Sequence, residues 1–236
     1  MTDLVFSLNL QSMTRLTINL EPLAGLYQSE PDMIRAIIKN ALACEIAGAD
    51  SILIGMGKEY DQKRKKLISV LADNLDINLS VKTNLDDRTL ETLTDLKPGM
   101  VILPYHADKK EMLSSTVTNL QIENILVGLE IPLELELVKD AARLKCDYVI
   151  LDCNSFCQAK SLTVGFEELN KIVKLVGLCS RLSMGAIASG DFSANQLARL
   201  GAAVKIEEYI LGLPFFSSSL IYGYARAIEM AKYSLA

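Results

Sequence analysis

The chain has 236 residues and 50% apolar content, enough to bury a large core in one large domain or two small ones. Its net charge of −5 argues against a nucleic-acid binder, which carries a basic face. High hydrophobicity with ordinary charged content excludes global disorder. The N-terminal "MTDLVFSLNLQSM" has neither the basic start nor the long apolar core of a signal peptide. No apolar run reaches the ~18 residues that a membrane span needs. The cysteine count of 5 is odd and the spacing irregular, which suits a reduced cytoplasmic protein.

Short β-rich runs alternate with helix-like stretches. "RLTINL" (15–20) reads as a strand, and "SEPDMIRAIIKNALACEIAG" (29–48) as a helix capped by Ser29 and stopped by Gly48. Within it Ile34, Ile37, Ile38, Ala41 and Leu42 make one apolar face. "DSILI" (50–54) is followed by a helix containing "KKLISVLADNL", whose basic run "KRKK" (63–66) reads as a solvated face. The next strand candidates are "INLSV" (77–81), "GMVILP" (99–104), "NILVGLEI" (124–131) and "DYVIL" (147–151), each with a helical segment after it. "RLSMG" (181–185) and "AAVKIE" (202–207) complete the series, and a last long helix is expected over about 215–233.

Strands that are apolar on both faces are parallel strands covered by helices. Eight such units at this length predict a single α/β domain, a (β/α)₈ TIM barrel over 1–236, with 1–14 as an N-terminal extension. Reactive groups in such barrels lie at the C-terminal strand ends.

Those strand ends bring a family into view. "LTINLEPLAGLYQSEPDMIRAIIKNALACEIAGADSILIGMGKE", "INLSVKTN", "LKPGMVILPYHADKKEM", "CDYVILDCNSFCQAK" and "AVKIEEYILGLPFFSSSLIYGYARAIEMAK" together resemble pyridoxine 5′-phosphate synthase over nearly the whole chain after residue 14. The resemblance implies a reaction that joins deoxyxylulose 5-phosphate to an aminoketone phosphate and closes the pyridine ring of vitamin B6. It also implies a homo-oligomer, for which the apolar residues Phe215, Phe216, Ile221, Tyr222 and Tyr224 of the last helix offer a surface. Such chemistry needs several proton transfers, for which carboxylates and imidazoles are suited.

The departures from the family's pattern bear directly on that chemistry. Asn19 keeps the first-strand asparagine, but the Asp-His after it is Glu21-Pro22. The second-strand histidine falls on Gly55 and its arginine on Gly57. The glutamates of the third and sixth strands fall on Ser80 and Ile150. The seventh-strand Gly-His is read as Gly185-Ala186, and the Gly-His before the last helix as Gly212-Leu213. The sole histidine, His106, follows the fourth strand, where the family uses none. The scaffold is therefore expected to persist while the proton-transfer machinery is lost.

Phosphate in this fold is held by backbone N–H groups in the loops after the seventh and eighth strands. Gly185, Ser189, Gly190 and Gly212 are the candidates there, against the negative Asp191, Glu207 and Glu208 and the missing donor of Pro214. Lys82 at the third strand end could form a Schiff base, with Asp152 or Glu130 moving protons, or could be a surface lysine. "CNSFC" (153–157) lacks the spacing of a metal or redox motif, so its cysteines read as packing, and no metal or cofactor is expected. His106 is either a lone acid–base group or a surface residue. Glu21, Lys58, Glu59 and Lys82 would share the barrel mouth, as a new polar site or a salt-bridged cap. The expectation is a divergent homologue that binds a phosphorylated small molecule or a protein partner, with no nucleic acid and no membrane. The alternative is a working synthase, or a related carbon–carbon bond-forming enzyme, that uses Glu21, Lys58, Lys82 or His106.

Overall fold

The computed structural model describes residues 14–27, 29–57 and 61–235. Lys58, Glu59 and nearly all of the expected N-terminal extension lie outside the described residues. Eight parallel strands close into a barrel in sequence order. They are β1 (Arg15–Asn19), β2 (Ser51–Gly55), β3 (Asn78–Lys82), β4 (Met100–Pro104), β5 (Leu126–Ile131), β6 (Tyr148–Asp152), β7 (Gly185–Gly190) and β8 (Glu208–Leu211). The expected (β/α)₈ barrel is the fold observed.

The helices follow the strands in turn. A short α1 (Glu21–Ala24) and the longer α2 (Glu30–Ile46) lie between β1 and β2. Next come α3 (Gln62–Asn74), α4 (Asp87–Leu96), α5 (Lys110–Ile122) and α6 (Leu135–Arg143). After β6 stand α7 (Asn154–Cys157) and α8 (Leu162–Arg181), and α9 (Ala194–Ala203) precedes β8. The chain closes with α10 (Leu213–Tyr222) and α11 (Tyr224–Leu235).

Local chemistry sets these boundaries. Helix α2 has Pro31 in its first turn, and beyond its end Gly48 takes a φ of +97° that side chains resist. Asp86 caps α4 by accepting the Thr89 N–H at 2.9 Å, and Ser193 with Gln196 forms a capping box on α9. Two aspartates pin strands from below. Asp50 accepts the Leu16 N–H and Asp147 accepts the Val127 N–H, each at 2.8 Å. Helix α11 docks back through Tyr224, whose hydroxyl donates to Asn40, and through Lys232, 3.0 Å from Asp50.

Alternation along the strands separates two cores. Residues such as Leu16, Ile18, Val101, Val127 and Leu151 face the helices. Leu53, Met100, Ile102, Ile150, Ile187 and Ile210 form a separate cluster, a plug of apolar side chains inside the barrel. Below the plug, at the N-terminal strand ends, the interior is polar. Glu208 accepts from Arg15 Nε at 2.9 Å and from the Thr17 hydroxyl at 2.5 Å, and Arg15 reaches the Tyr148 hydroxyl at 3.2 Å.

Three boundaries differ from the sequence reading. Helix α8 runs to Arg181 and Ser183 turns with a φ of +59°, so β7 begins at Gly185 rather than ending there. Its run of glycine, alanine and serine has weak strand propensity and hid it. Helix α9 continues through Ala203 past Gly201, so β8 begins at Glu208. The expected last helix is two, broken at Gly223 with a φ of +79°. No helix among the described residues is long and apolar enough to cross a membrane.

Candidate functional site

The barrel mouth is ringed by the C-terminal strand ends, with Asn19, Gly55, Lys82, Glu130, Asp152 and Ser189 above the apolar plug. Near β1 the ring is tied into a knot. The Asn19 side chain accepts the Glu21 N–H at 3.0 Å and fixes the turn into α1. Glu21 then folds across the end of β2. Its Oε1 accepts the Gly55 N–H at 2.6 Å and Arg64 Nη1 at 2.8 Å. A Cβ on Gly55 would stand 3.0 Å from both Cδ and Oε1 of Glu21. The glycine is there to let the carboxylate reach the backbone. Glu21 thus clamps β2 and α3 through its Oε1.

Lys82 and Glu130 pair across the rim from β3 to β5, with Nζ 2.7 Å from Oε1. The Lys82 side chain remains 43% exposed, so the pair is a solvent-facing contact. Glu21 and Lys82 thus pair with Arg64 and Glu130, while Lys58 and Glu59 lie outside the described residues.

Deeper in the barrel, two positions expected to carry acid–base groups are inert. Ser80 is buried with its hydroxyl 3.4 Å from that of Ser51. Ile150 lies in the plug, 1% exposed. A side chain on Gly128 would overlap Ile150 Cδ1, so this glycine opens the space that Ile150 fills.

After β6, Asp152 accepts the Asn154 N–H at 3.0 Å and starts α7. Burial pushes the Cys153 thiol well above its usual range and raises that of Cys157 to about 12. Neither is a ready nucleophile, as the packing reading expects.

After β7, the Ser189 carbonyl accepts the Cys153 N–H at 2.8 Å, and a Cβ on Gly190 would stand 3.0 Å from Cys157 Sγ. The Asp191 N–H donates to Asn154 Oδ1 at 3.2 Å, and Asp191 Oδ1 accepts the Leu213 N–H at 2.9 Å. Gly212 lies beneath this carboxylate, where any side chain would strike Asp191 Oδ1. Gly185 must be corrected. It opens β7 at the N-terminal end of the barrel, opposite the mouth, and its missing side chain makes room for the Tyr148 ring. It cannot bind a ligand with Ser189, Gly190 and Gly212. The actual end of β7 is Ser189-Gly190, which also carries no imidazole.

His106 precedes a 3₁₀ turn, Ala107–Lys109, and its side chain has no hydrogen bond or ion pair with a described residue. Its neighbour Tyr105 belongs to a cluster that sequence reading missed. Asp140 of α6 accepts from the Tyr105 hydroxyl and from Lys110 Nζ, each at 2.7 Å, and from Arg143 at 2.8 Å. The Lys110 hydrogen bond, followed by that of Tyr105, holds the Asp140 carboxyl down at about 2. The cluster fastens the loop after β4 to α6. Arg64 was also missed, because "KRKK" read as solvent-facing. Yet the first turn of a helix that follows a barrel strand lies at mouth level, and the Arg64 side chain is only 15% exposed. Among the described residues no group of three or more His, Cys, Asp or Glu side chains is placed to hold a metal ion.

Comparison with known proteins agrees with this scaffold. The family model described as "Pyridoxal phosphate biosynthesis protein PdxJ" matches residues 16–236. The pyridoxine 5′-phosphate synthase of Geotalea daltonii is 25% identical, with 94% of this chain and 100% of the relative covered. That of Geobacter sp. strain M21 is 26% identical over the same shares. Among solved structures, KGPDC from Streptococcus mutans superposes with a TM-score of 0.73 at 15% identity, covering 94% of this chain and 99% of that one. The 3-keto-L-gulonate-6-phosphate decarboxylase of Vibrio cholerae gives 0.68 at 15% identity, covering 94% and 98%. At that identity these two structures speak for the fold alone. The family model, spanning almost the whole barrel, assigns this chain to the PdxJ family of pyridoxal phosphate biosynthesis proteins.

Proposed function

We propose that this chain is a PdxJ-family barrel that has given up the synthase reaction and works by binding. The observation that carries this reading is Ile150, at the position matched to a family glutamate, sealed in an apolar plug and complemented by Gly128. A carboxylate there could move protons, whereas an isoleucine cannot. Of the groups that could have taken over, Glu21 and Lys82 are engaged in ion pairs, and His106 stands without a hydrogen-bonded partner among the described residues.

A protein partner or a second copy of the chain is the occupant favoured. Leu220, Ile221 and Tyr222 at the end of α10 are 90%, 73% and 55% exposed, a run of large apolar side chains that a lone chain leaves in water. A phosphorylated metabolite, the other ligand that the family resemblance suggests, would have to enter the loops after β7 and β8 past Asp191. The reading places this activity in the cytoplasm. It is tested by expressing the chain in cells that lack their own pyridoxine 5′-phosphate synthase. No growth without added vitamin B6, beside rescue by a working synthase and with the chain present and folded, is the expected result. Rescue by this chain would refute the reading.

A further inference from the structure

In barrels of this kind a phosphate group is seated between the loops after the seventh and eighth strands, against backbone N–H groups and the positive end of a helix. Here that place holds a carboxylate of the chain itself. We propose that Asp191 is a built-in occupant of this anion seat and shuts phosphate-bearing ligands out of it. This deepens the non-synthase reading, on which it rests, by naming the ligand class that the mouth refuses.

Three observations converge on Asp191. Its Oδ1 takes the N–H of Leu213, the first residue of α10, at 2.9 Å. Gly212 lacks the side chain that would strike this oxygen, so the approach is accommodated by the backbone on the far side of the seat. The Asp191 N–H, which a ligand in this loop would use, is already given to Asn154 Oδ1 at 3.2 Å.

The two residues after Leu213 offer the seat no donor. Pro214 has no N–H. The Phe215 N–H goes to the Gly212 carbonyl at 3.2 Å. Asp191 makes no ion pair among the described residues, so the Leu213 N–H and the helix end are what hold its charge. A phosphate entering beside it would meet a like charge in the place that the Leu213 N–H already fills.

The test uses the whole chain and inorganic phosphate as the probe, with chloride at matched ionic strength as the control. Thermal unfolding of the wild type should show no phosphate-dependent rise in Tm. D191A empties the seat, and its Tm should climb and saturate with phosphate, by mass action on the folded state. D191N keeps an oxygen that can accept from Leu213 and should stay unresponsive. Should D191A fail to fold, D191G takes its place. A wild type that phosphate stabilises as much as the variant would overturn the inference, and so would an open variant that does not respond. Turnover by the wild type in a synthase assay would instead refute the underlying reading, and the two failures are separately visible.

Discussion

Ile150 of β6 fills the space that Gly128 of β5 leaves open inside the barrel. The two are so close that any side chain on Gly128 would overlap Ile150 Cδ1. An apolar residue stands where the family resemblance places an acid–base group, and a glycine on the neighbouring strand gives it room. Packed plugs of this kind stabilise a barrel and have no use for a water-filled, proton-moving centre.

This pairing predicts a clear order of stabilities in urea. G128A overpacks the plug and should lower stability by about 1–3 kcal/mol. I150V, which only trims a methyl group, should cost about 1 kcal/mol. I150E, which places there the residue that the family resemblance implies, buries a carboxylate among Leu53, Ile102 and Ile187 and should cost on the order of 4 kcal/mol. An I150E protein as stable as the wild type would mean that the plug is wetter than described.

At the mouth, Glu21 is expected to act as a clamp. E21A removes the partner of the Gly55 N–H and of Arg64, and should cost about 1–3 kcal/mol. G55H would put an imidazole where Glu21 lies, so it should be tolerated better in an E21A background than in the wild type. A double-mutant cycle measures this, and strict additivity would contradict the contact.

Acid should loosen the clasp between α6 and the loop after β4. The Asp140 carboxyl is held near 2, below its ordinary value of 3.8, chiefly by the Lys110 and Tyr105 hydrogen bonds. A depressed carboxyl contributes stability that is full above its unfolded value and fades as pH falls towards the folded one. The Tm difference between wild type and D140N should therefore be constant at neutral pH and shrink between about pH 4 and pH 2. A difference that does not change across that window would contradict the assignment.

The thiols should be quiet in the folded state. Burial raises those of Cys44, Cys146 and Cys157 to about 12 and that of Cys179 to about 11. Cys153 is pushed well above its usual range. Alkylation at pH 8 should be slow until denaturant is added, with Cys157, the partly exposed one, reacting first. Rapid labelling of Cys153 in native protein would contradict this packing.

The barrel was legible in the sequence because periodicity and apolar patterning repeat in each unit, from "RLTINL" to "DYVIL". Strand β7 was displaced because "GAIASG" has a single bulky β-former, Ile187, among glycine, alanine and serine, and Gly185 was carried to the wrong end of the barrel with it. That His106 is the sole histidine could be read directly, since no folding can supply a further imidazole. The partners of Glu21 and Asp191 could not. Arg64 lies 43 positions from Glu21 and Leu213 lies 22 from Asp191, and only barrel closure brings each pair together.

The central claim, that this PdxJ-family barrel no longer makes pyridoxine 5′-phosphate, is tested most directly by mixing the purified chain with deoxyxylulose 5-phosphate and the aminoketone phosphate. The product is followed by mass, beside a working synthase. No product from folded protein while the control turns over is the result predicted. Product formed at a rate comparable to the control would contradict the claim and show that groups at the mouth carry protons despite their ion pairs.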